Sequence, residues 1–185
     1  QATLAQSVID VTDPDYGVKN DGTATSAEIQ AMFDASSPND VFYFPSGTYG
    51  IDAEITLPDL HPIHIYGAGM DATTFLALGA IANVFNKAST TEIQRPSFRD
   101  FTINCDRLAN RGMFYGASNE AVFERVRIWR HLTEGLYLGD AATAGSRGGY
   151  FSKVIIDGDV NITVSRATHG IDCARLSPDN RFVQC

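Results

Sequence analysis

No stretch of this 185-residue chain approaches the roughly 20 consecutive apolar residues of a membrane-spanning helix, so membrane insertion is not expected. Basic residues are also few. The 14 Lys and Arg stand against 22 Asp and Glu, a net charge of −8. A chain of that sign lacks the basic face that nucleic acid requires. The deficit also works against an acidic glycan, unless a local basic cluster or a divalent cation reverses the field. Cysteine is scarce and odd in number. Cys105, Cys173 and Cys185 form neither a disulfide framework nor a C-x-x-C zinc pair. They read as thiols, at least two of them packed in a core, with a Cys173–Cys185 bridge left open to geometry. No low-complexity segment, charge block or linker divides the chain, and a single domain over 1–185 is expected.

What is present is a recurring phrase. Phe98-Arg99-Asp100-Phe101-Thr102-Ile103 is answered by Phe123-Glu124-Arg125-Val126-Arg127-Ile128 and again by Phe151-Ser152-Lys153-Val154-Ile155-Ile156. The copies start 25 and 28 residues apart. Each is followed by a second short apolar run, opened by Gly112, Gly135 or Gly170. Two short strands at this period mark a β-solenoid, whose turns cover one another's apolar faces. Equivalent residues of successive turns then lie about 4.8 Å apart, so the repeat register names the side chains that share a site.

Ahead of the repeats, residues 1–10 read as an extended arm. Asp13 to Gly17 and Asn20-Asp21-Gly22 are turn chemistry. A capping helix is expected over about 25–36. Thr25 and Glu28 have capping-box spacing, and Ile29, Met32 and Phe33 share one face. Strands are expected at Val41–Phe44 and His61–Tyr66, more weakly at Phe75–Leu78 and Ala82–Phe85, then as pairs over 97–115, 121–138 and 150–173. The solenoid therefore occupies about 41–185. Ala141–Gly149 and Asp157–Asp159 break its period as loops. The chain starts at Gln1 without methionine or visible signal peptide, and Asn180–Cys185 reads as the start of another strand. The natural protein is expected to continue, or to be covered there by another chain.

Four spaced phrases in order carry a resemblance. They are Asp15-Tyr16-Gly17-Val18-Lys19-Asn20-Asp21-Gly22, the Thr25 helix, Val41-Phe42-Tyr43-Phe44-Pro45-Ser46-Gly47-Thr48-Tyr49, and Ile65-Tyr66-Gly67-Ala68-Gly69. Together they resemble the opening of the pectate-lyase-like superfamily, in the branch of phage tailspikes and polysaccharide depolymerases. Arg99 to Ile103 and Glu124 to Val126 add a looser likeness to mannuronan C5-epimerases. The resemblance implies an all-β, right-handed single-stranded parallel β-helix with a short N-terminal capping helix. It implies chemistry only weakly, because the superfamily includes lyases, hydrolases, epimerases and non-catalytic virion parts. The chain lacks the epimerases' Asp-Pro-His-x-x-Glu phrase, the nearest local sequence being Leu138-Gly139-Asp140, and it lacks the paired aspartates of polygalacturonases.

The repeat register yields candidate site residues. Aligning the three glycines stacks Arg111, Glu134 and His169 in one column and Phe114, Tyr137 and Asp172 in the next. A carboxylate or imidazole moves protons, an arginine neutralises a uronate or a developing oxyanion, and rings stack on sugar faces. Glu134, His169, Asp172 and Asp140 are the catalytic candidates. Arg111, Tyr137, Phe114, Asp106 and His131 are the substrate-binding ones. Hydrolysis would require two carboxylates about 5 Å or about 6.5–9.5 Å apart, and Glu134 with Asp172 or Asp140 is the pair to test. Each residue alone also has a plainer reading, as a surface ion pair, a turn residue or a packed ring. His61 and His64 read as structural and Trp129 as packing. No metal site or cofactor is expected, although Asp157-Gly158-Asp159 leaves room for Ca2+.

The sequence thus reads as a polysaccharide-recognising and -cleaving protein, of lyase or glycoside hydrolase type, in a phage tailspike or a secreted depolymerase. A homotrimer, or other virion tail chains, would be its protein partners. The alternative is a non-catalytic virion module or glycan-binding domain.

Overall fold

A computed structural model of the chain describes residues 8–38, 40–87, 91–139, 146–157, 169–173 and 181–184. Every strand pairing in it is parallel, and the strands stack into a β-helix. The long sheet runs from Val8–Asp10 through Val41–Phe44, His64–Gly67, Ser97–Asn104, Val122–Trp129 and Tyr150–Ser152 to Arg181–Val183. A five-stranded sheet stacks Ile55–Thr56, Ile81–Lys87, Ala109–Tyr115, Glu134–Leu138 and His169–Cys173. A three-stranded sheet of two-residue strands, Ile93–Gln94, Ser118–Asn119 and Ser146–Arg147, closes the third side. Val8–Asp10, expected as part of an arm, pairs with Val41–Tyr43 and forms the first rung. Arg181–Val183 forms a strand where the sequence led one to expect it. None of the described helices is long and apolar enough to cross a membrane.

The repeated phrase builds the core as columns. Ile9, Phe42, Ile65, Phe98, Phe123, Phe151 and Phe182 occupy one register position on successive rungs. Phe123 is stacked between Phe98 at 4.8 Å and Phe151 at 5.1 Å, with ring planes 22° and 7° apart. Tyr49, Phe75, Ile103, Ile128 and Ile156 form a second column. Apolar groups repeated at one rung spacing exclude water between the described rungs, and that burial drives a solenoid's stability.

The phrase Phe-x-x-Phe has a geometric cause. In a straight strand, residues three apart point to opposite faces. Here Phe98 and Phe101 both enter the core. Asp100 between them has φ 63°, and its counterparts Arg125 and Lys153 have φ 52° and 53°. One left-handed residue per turn folds the strand around a corner and restores the inward side chain. Two more corners are left-handed, at Arg95 and Glu120 and at Asp106, Arg107 and Arg130. Such residues are strained relative to ordinary backbone by roughly 1–2 kcal/mol each. Opposite charges meet along each corner. Arg125 grips both Asp100 oxygens at 2.5 and 2.8 Å, Arg95 meets Glu120 at 2.5 Å, and Arg130 meets Asp106 at 2.6 Å.

The helix α1, Ser26–Asp34, buries Ile29, Met32 and Phe33 as its face predicts, with Phe33 edge-on to Phe42 at 4.9 Å. Its Gln30 side chain accepts from the Thr56 N–H at 2.7 Å and donates to the Thr56 carbonyl at 3.1 Å. It thereby satisfies the open edge of the five-stranded sheet. The expected capping box does not form. The Thr25 hydroxyl accepts from the Lys19 N–H, and the Thr25 N–H donates to the Gly50 carbonyl. Both groups that the box would use are occupied by long-range partners. The second predicted strand is also shorter than expected, His64–Gly67 instead of a start at His61.

Candidate functional site

The outer face of the five-stranded sheet collects the polar side chains. In strand Glu134–Leu138, Leu136 and Leu138 are buried, while Glu134 and Tyr137 are half-buried outside. In Ala109–Tyr115 the residues Met113 and Tyr115 point in, while Arg111 and Phe114 lie outside. The glycines between them permit this packing. A Cβ on Gly112 would meet the Ile128 Cγ2 at 2.3 Å, so only glycine fits there.

The register places Phe114 beside Tyr137 and Tyr137 beside Asp172, and it pairs Glu134 with His169. Arg111 completes the first column through its side chain, with Nε 2.6 Å from Glu134 Oε2. The same carboxylate oxygen accepts from the Thr133 hydroxyl at 2.8 Å. The Arg111 guanidinium lies 5.0 Å from the Tyr137 ring centre and 5.9 Å from that of Phe114, and the two rings meet edge-on at 5.0 Å. A fixed cation, a carboxylate and two rings therefore share one outer surface. Arg111 keeps 31% of its side chain exposed and Glu134 13%.

The structure extends both columns toward α1. Asn83 pairs with Arg111, and Asn86 with Phe114. Glu54 holds both amides. It accepts from the Asn83 backbone N–H at 3.0 Å, from Asn83 Nδ2 at 2.7 Å and from Asn86 Nδ2 at 2.5 Å. The side-chain oxygens of Asn83 and Asn86 are buried and have no partner. The sequence reading missed these three residues. Their signal was the phase of the weak strand Ile81–Lys87, which carries asparagines where the later turns carry Arg111 and Phe114.

Other candidates lie elsewhere. His131 was expected to contact sugar beside Trp129 and Arg130, but it is 1% exposed. Burial pushes its pKa down, while the Thr133 backbone and then Glu134 and Asp157 pull the other way. The left-handed Arg130, φ 57°, turns the chain so that His131 faces inward while Trp129 stays outside. Asp106 lies in the corner turn, ion-paired to Arg130, apart from the five-stranded sheet. Asp140, Gly158, Asp159 and Cys185 fall outside the described residues. Among the described residues no group of three or more His, Cys, Asp or Glu is placed to hold a metal ion. Cys105 is a buried free thiol, and burial raises its pKa to about 12, which keeps it protonated and unreactive.

Comparison with known proteins bears on the fold. A family model described as "Rhamnogalacturonase A/epimerase, pectate lyase-like" matches residues 8–120. No curated protein matches the sequence. Among solved structures, the A-module of the Azotobacter vinelandii mannuronan C-5 epimerase AlgE6 is similar at 23% identity and TM-score 0.61, covering 81% of this chain and 50% of that one. The ORF18 protein of Geobacillus virus E2 is similar at 21% identity and TM-score 0.52, over 95% of this chain and 40% of its own. An iota-carrageenase solved with iota-carrageenan fragments is similar at 14% identity and TM-score 0.64, over 82% and 36%. These likenesses concern the fold, and the chain spans half or less of each neighbour's length.

Proposed function

The chain belongs to the rhamnogalacturonase A/epimerase, pectate-lyase-like family, and from that premise we propose that it binds and cleaves a polysaccharide on the outer face of its five-stranded sheet. The observation that carries the reading is the Arg111–Glu134 pair, held at 2.6 Å beneath the rings of Phe114 and Tyr137. The rings take sugar faces, the Asn83 and Asn86 amides read hydroxyls, and Arg111 takes an acidic group.

Two reactions suit these parts. In β-elimination of a uronate, a base removes the proton next to the carboxyl group. The electron pair forms a carbon–carbon double bond, the glycosidic C–O bond breaks, and the leaving oxygen takes up a proton. Arg111 neutralises the carboxylate as negative charge builds, and His169 or Glu134 moves the proton. In hydrolysis, Glu134 and Asp172 or Asp140 serve as the carboxylate pair. The setting is a phage tailspike, as a homotrimer or with other tail chains, or a secreted depolymerase. The virus neighbour and the carrageenan-bound neighbour support these two settings respectively.

A second reading has its own observation. Glu134 is already engaged by both Arg111 and Thr133, an arrangement suited to a fixed glycan-binding face without turnover. Incubation with uronate-containing and neutral polysaccharides separates the cases. New reducing ends with ultraviolet absorbance of unsaturated uronates mean a lyase, and reducing ends without absorbance mean a hydrolase. Glu134→Gln should then lower turnover by about 10²–10⁴-fold. Binding without any new reducing ends would overturn the catalytic reading in favour of the binding one.

A further inference from the structure

A second polar cluster lies on a different wall of the solenoid. On the outer face of the long sheet, Tyr43, Tyr66, Arg99 and Glu124 share one register column, and His64 and Ser97 share the column beside it. Ser97 Oγ lies 2.7 Å from His64 Nδ1 and 3.1 Å from Tyr66 Oη. The Arg99 guanidinium sits 5.5 Å from the centre of the Tyr66 ring. Burial, and then the Arg99 charge, hold the His64 imidazole below its usual range, and Ser97 links the ring to Tyr66.

Arg99 differs from the other arginines in the described ion pairs. Arg95, Arg111, Arg125, Arg127 and Arg130 each meet a carboxylate within 2.9 Å. Arg99 reaches Glu124 only at 3.5 Å, and Glu124 is drawn closely to Arg125 instead. The Arg99 Nε is buried without a hydrogen-bond partner. A desolvated guanidinium N–H without an acceptor costs free energy that a bound oxyanion would return. The phenol rings in register beside it supply a sugar platform.

We propose that Arg99, Tyr66 and Tyr43 form a second, non-catalytic site that takes the anionic group of an acidic sugar, a carboxylate or a sulfate ester. The oxyanion accepts from Arg99, and the ring of the sugar lies against Tyr66. That the anion is carried by a glycan rests on the polysaccharide reading above, whereas the oxyanion site itself does not. A second site on a separate wall would hold a long polymer while the five-stranded sheet works on another segment of it.

The test is calorimetric titration of the full chain with short oligouronates, with their carboxyl-reduced neutral counterparts, and with sulfated oligosaccharides. The wild type should show two classes of site. Tyr137→Ala should weaken one by about 10-fold and leave the other unchanged, and Arg99→Ala should weaken the other class by about 10- to 100-fold. Arg99→Lys keeps the charge and the aliphatic stem but not the Nε donor. It should also weaken that class, and it serves if the alanine variant does not fold. Binding by only the carboxylate or only the sulfate ligand identifies the oxyanion, and either result supports the site. Equal binding of the neutral ligands overturns the proposal, as does wild-type affinity in both Arg99 variants. Loss of all binding in Tyr137→Ala overturns the second site alone. Binding lost only in the Arg99 variants overturns the five-stranded-sheet reading and leaves this one standing.

Discussion

Replacing Phe123 by alanine tests whether the stacked column is what holds the solenoid together. The ring is fully buried and sandwiched face to face between Phe98 and Phe151 at 4.8 and 5.1 Å. Removing it leaves a cavity in the middle of the stack, where neighbours on both rungs are themselves pinned by register, so little collapse is available. The cost is about 4 kcal/mol, within the usual range for a buried Phe→Ala change. That is a large share of a stability of about 5–15 kcal/mol. With a urea dependence of about 2 kcal/mol per molar, the unfolding midpoint should fall by about 2 M. Phe123→Leu keeps most of the volume and should cost less than about 1.5 kcal/mol. Far-ultraviolet circular dichroism and the fluorescence of Trp129, on the same strand as Phe123, should give the same midpoint. An alanine midpoint within about 0.3 M of wild type, or no lower than that of the leucine variant, would mean that the stacked column does not hold the solenoid together.

Three further outcomes are expected. Gly112→Ala places a methyl group 2.3 Å from the Ile128 side chain; it should destabilise by about 1–3 kcal/mol and be visible as a lower thermal midpoint, whereas Gly79→Ala, whose nearest neighbour is 3.7 Å away, should change it little. His131 is held neutral by burial, with its folded pKa below the unfolded value of 6.5. Its contribution to stability is therefore present above about pH 6.5 and is lost as pH falls toward the folded pKa, so His131→Leu should show a smaller drop in thermal midpoint between pH 7 and pH 5 than wild type. Tyr137→Ala should weaken oligosaccharide binding by about 10-fold with an unchanged thermal midpoint, because the ring is half-buried on the outer face.

Much of the fold was legible because it repeats. Phe98, Phe123 and Phe151 recur in phase, and one phase error would turn the whole column outward, so the pattern is a strong constraint. The glycines before Met113, Leu136 and Ile171 set the register of the five-stranded sheet for the same reason. Long-range partners were not legible. Thr25 has the local spacing of a capping box, but Lys19 and Gly50 take its groups, and nothing near Thr25 in the chain announces Gly50. Glu54 lies outside the repeated phrase, and its role appears only when Asn83 and Asn86 are brought over it. The corners were hidden because charged residues, not glycines, adopt the left-handed conformation at Asp100 and Arg125. His131 illustrates the consequence. Its place after Trp129 and Arg130 suggested a surface cluster, while the corner at Arg130 turns it into the interior.

On the proposed reading, a glycan lies along the outer columns of the five-stranded sheet. A crystal structure of the longest natural form of the chain with an acidic oligosaccharide tests it most directly. Sugar rings should lie against Phe114 and Tyr137, with an acidic group at Arg111 and hydroxyls at Asn83 or Asn86. An oligosaccharide bound elsewhere, with that face bare while saturating ligand is present, would contradict it.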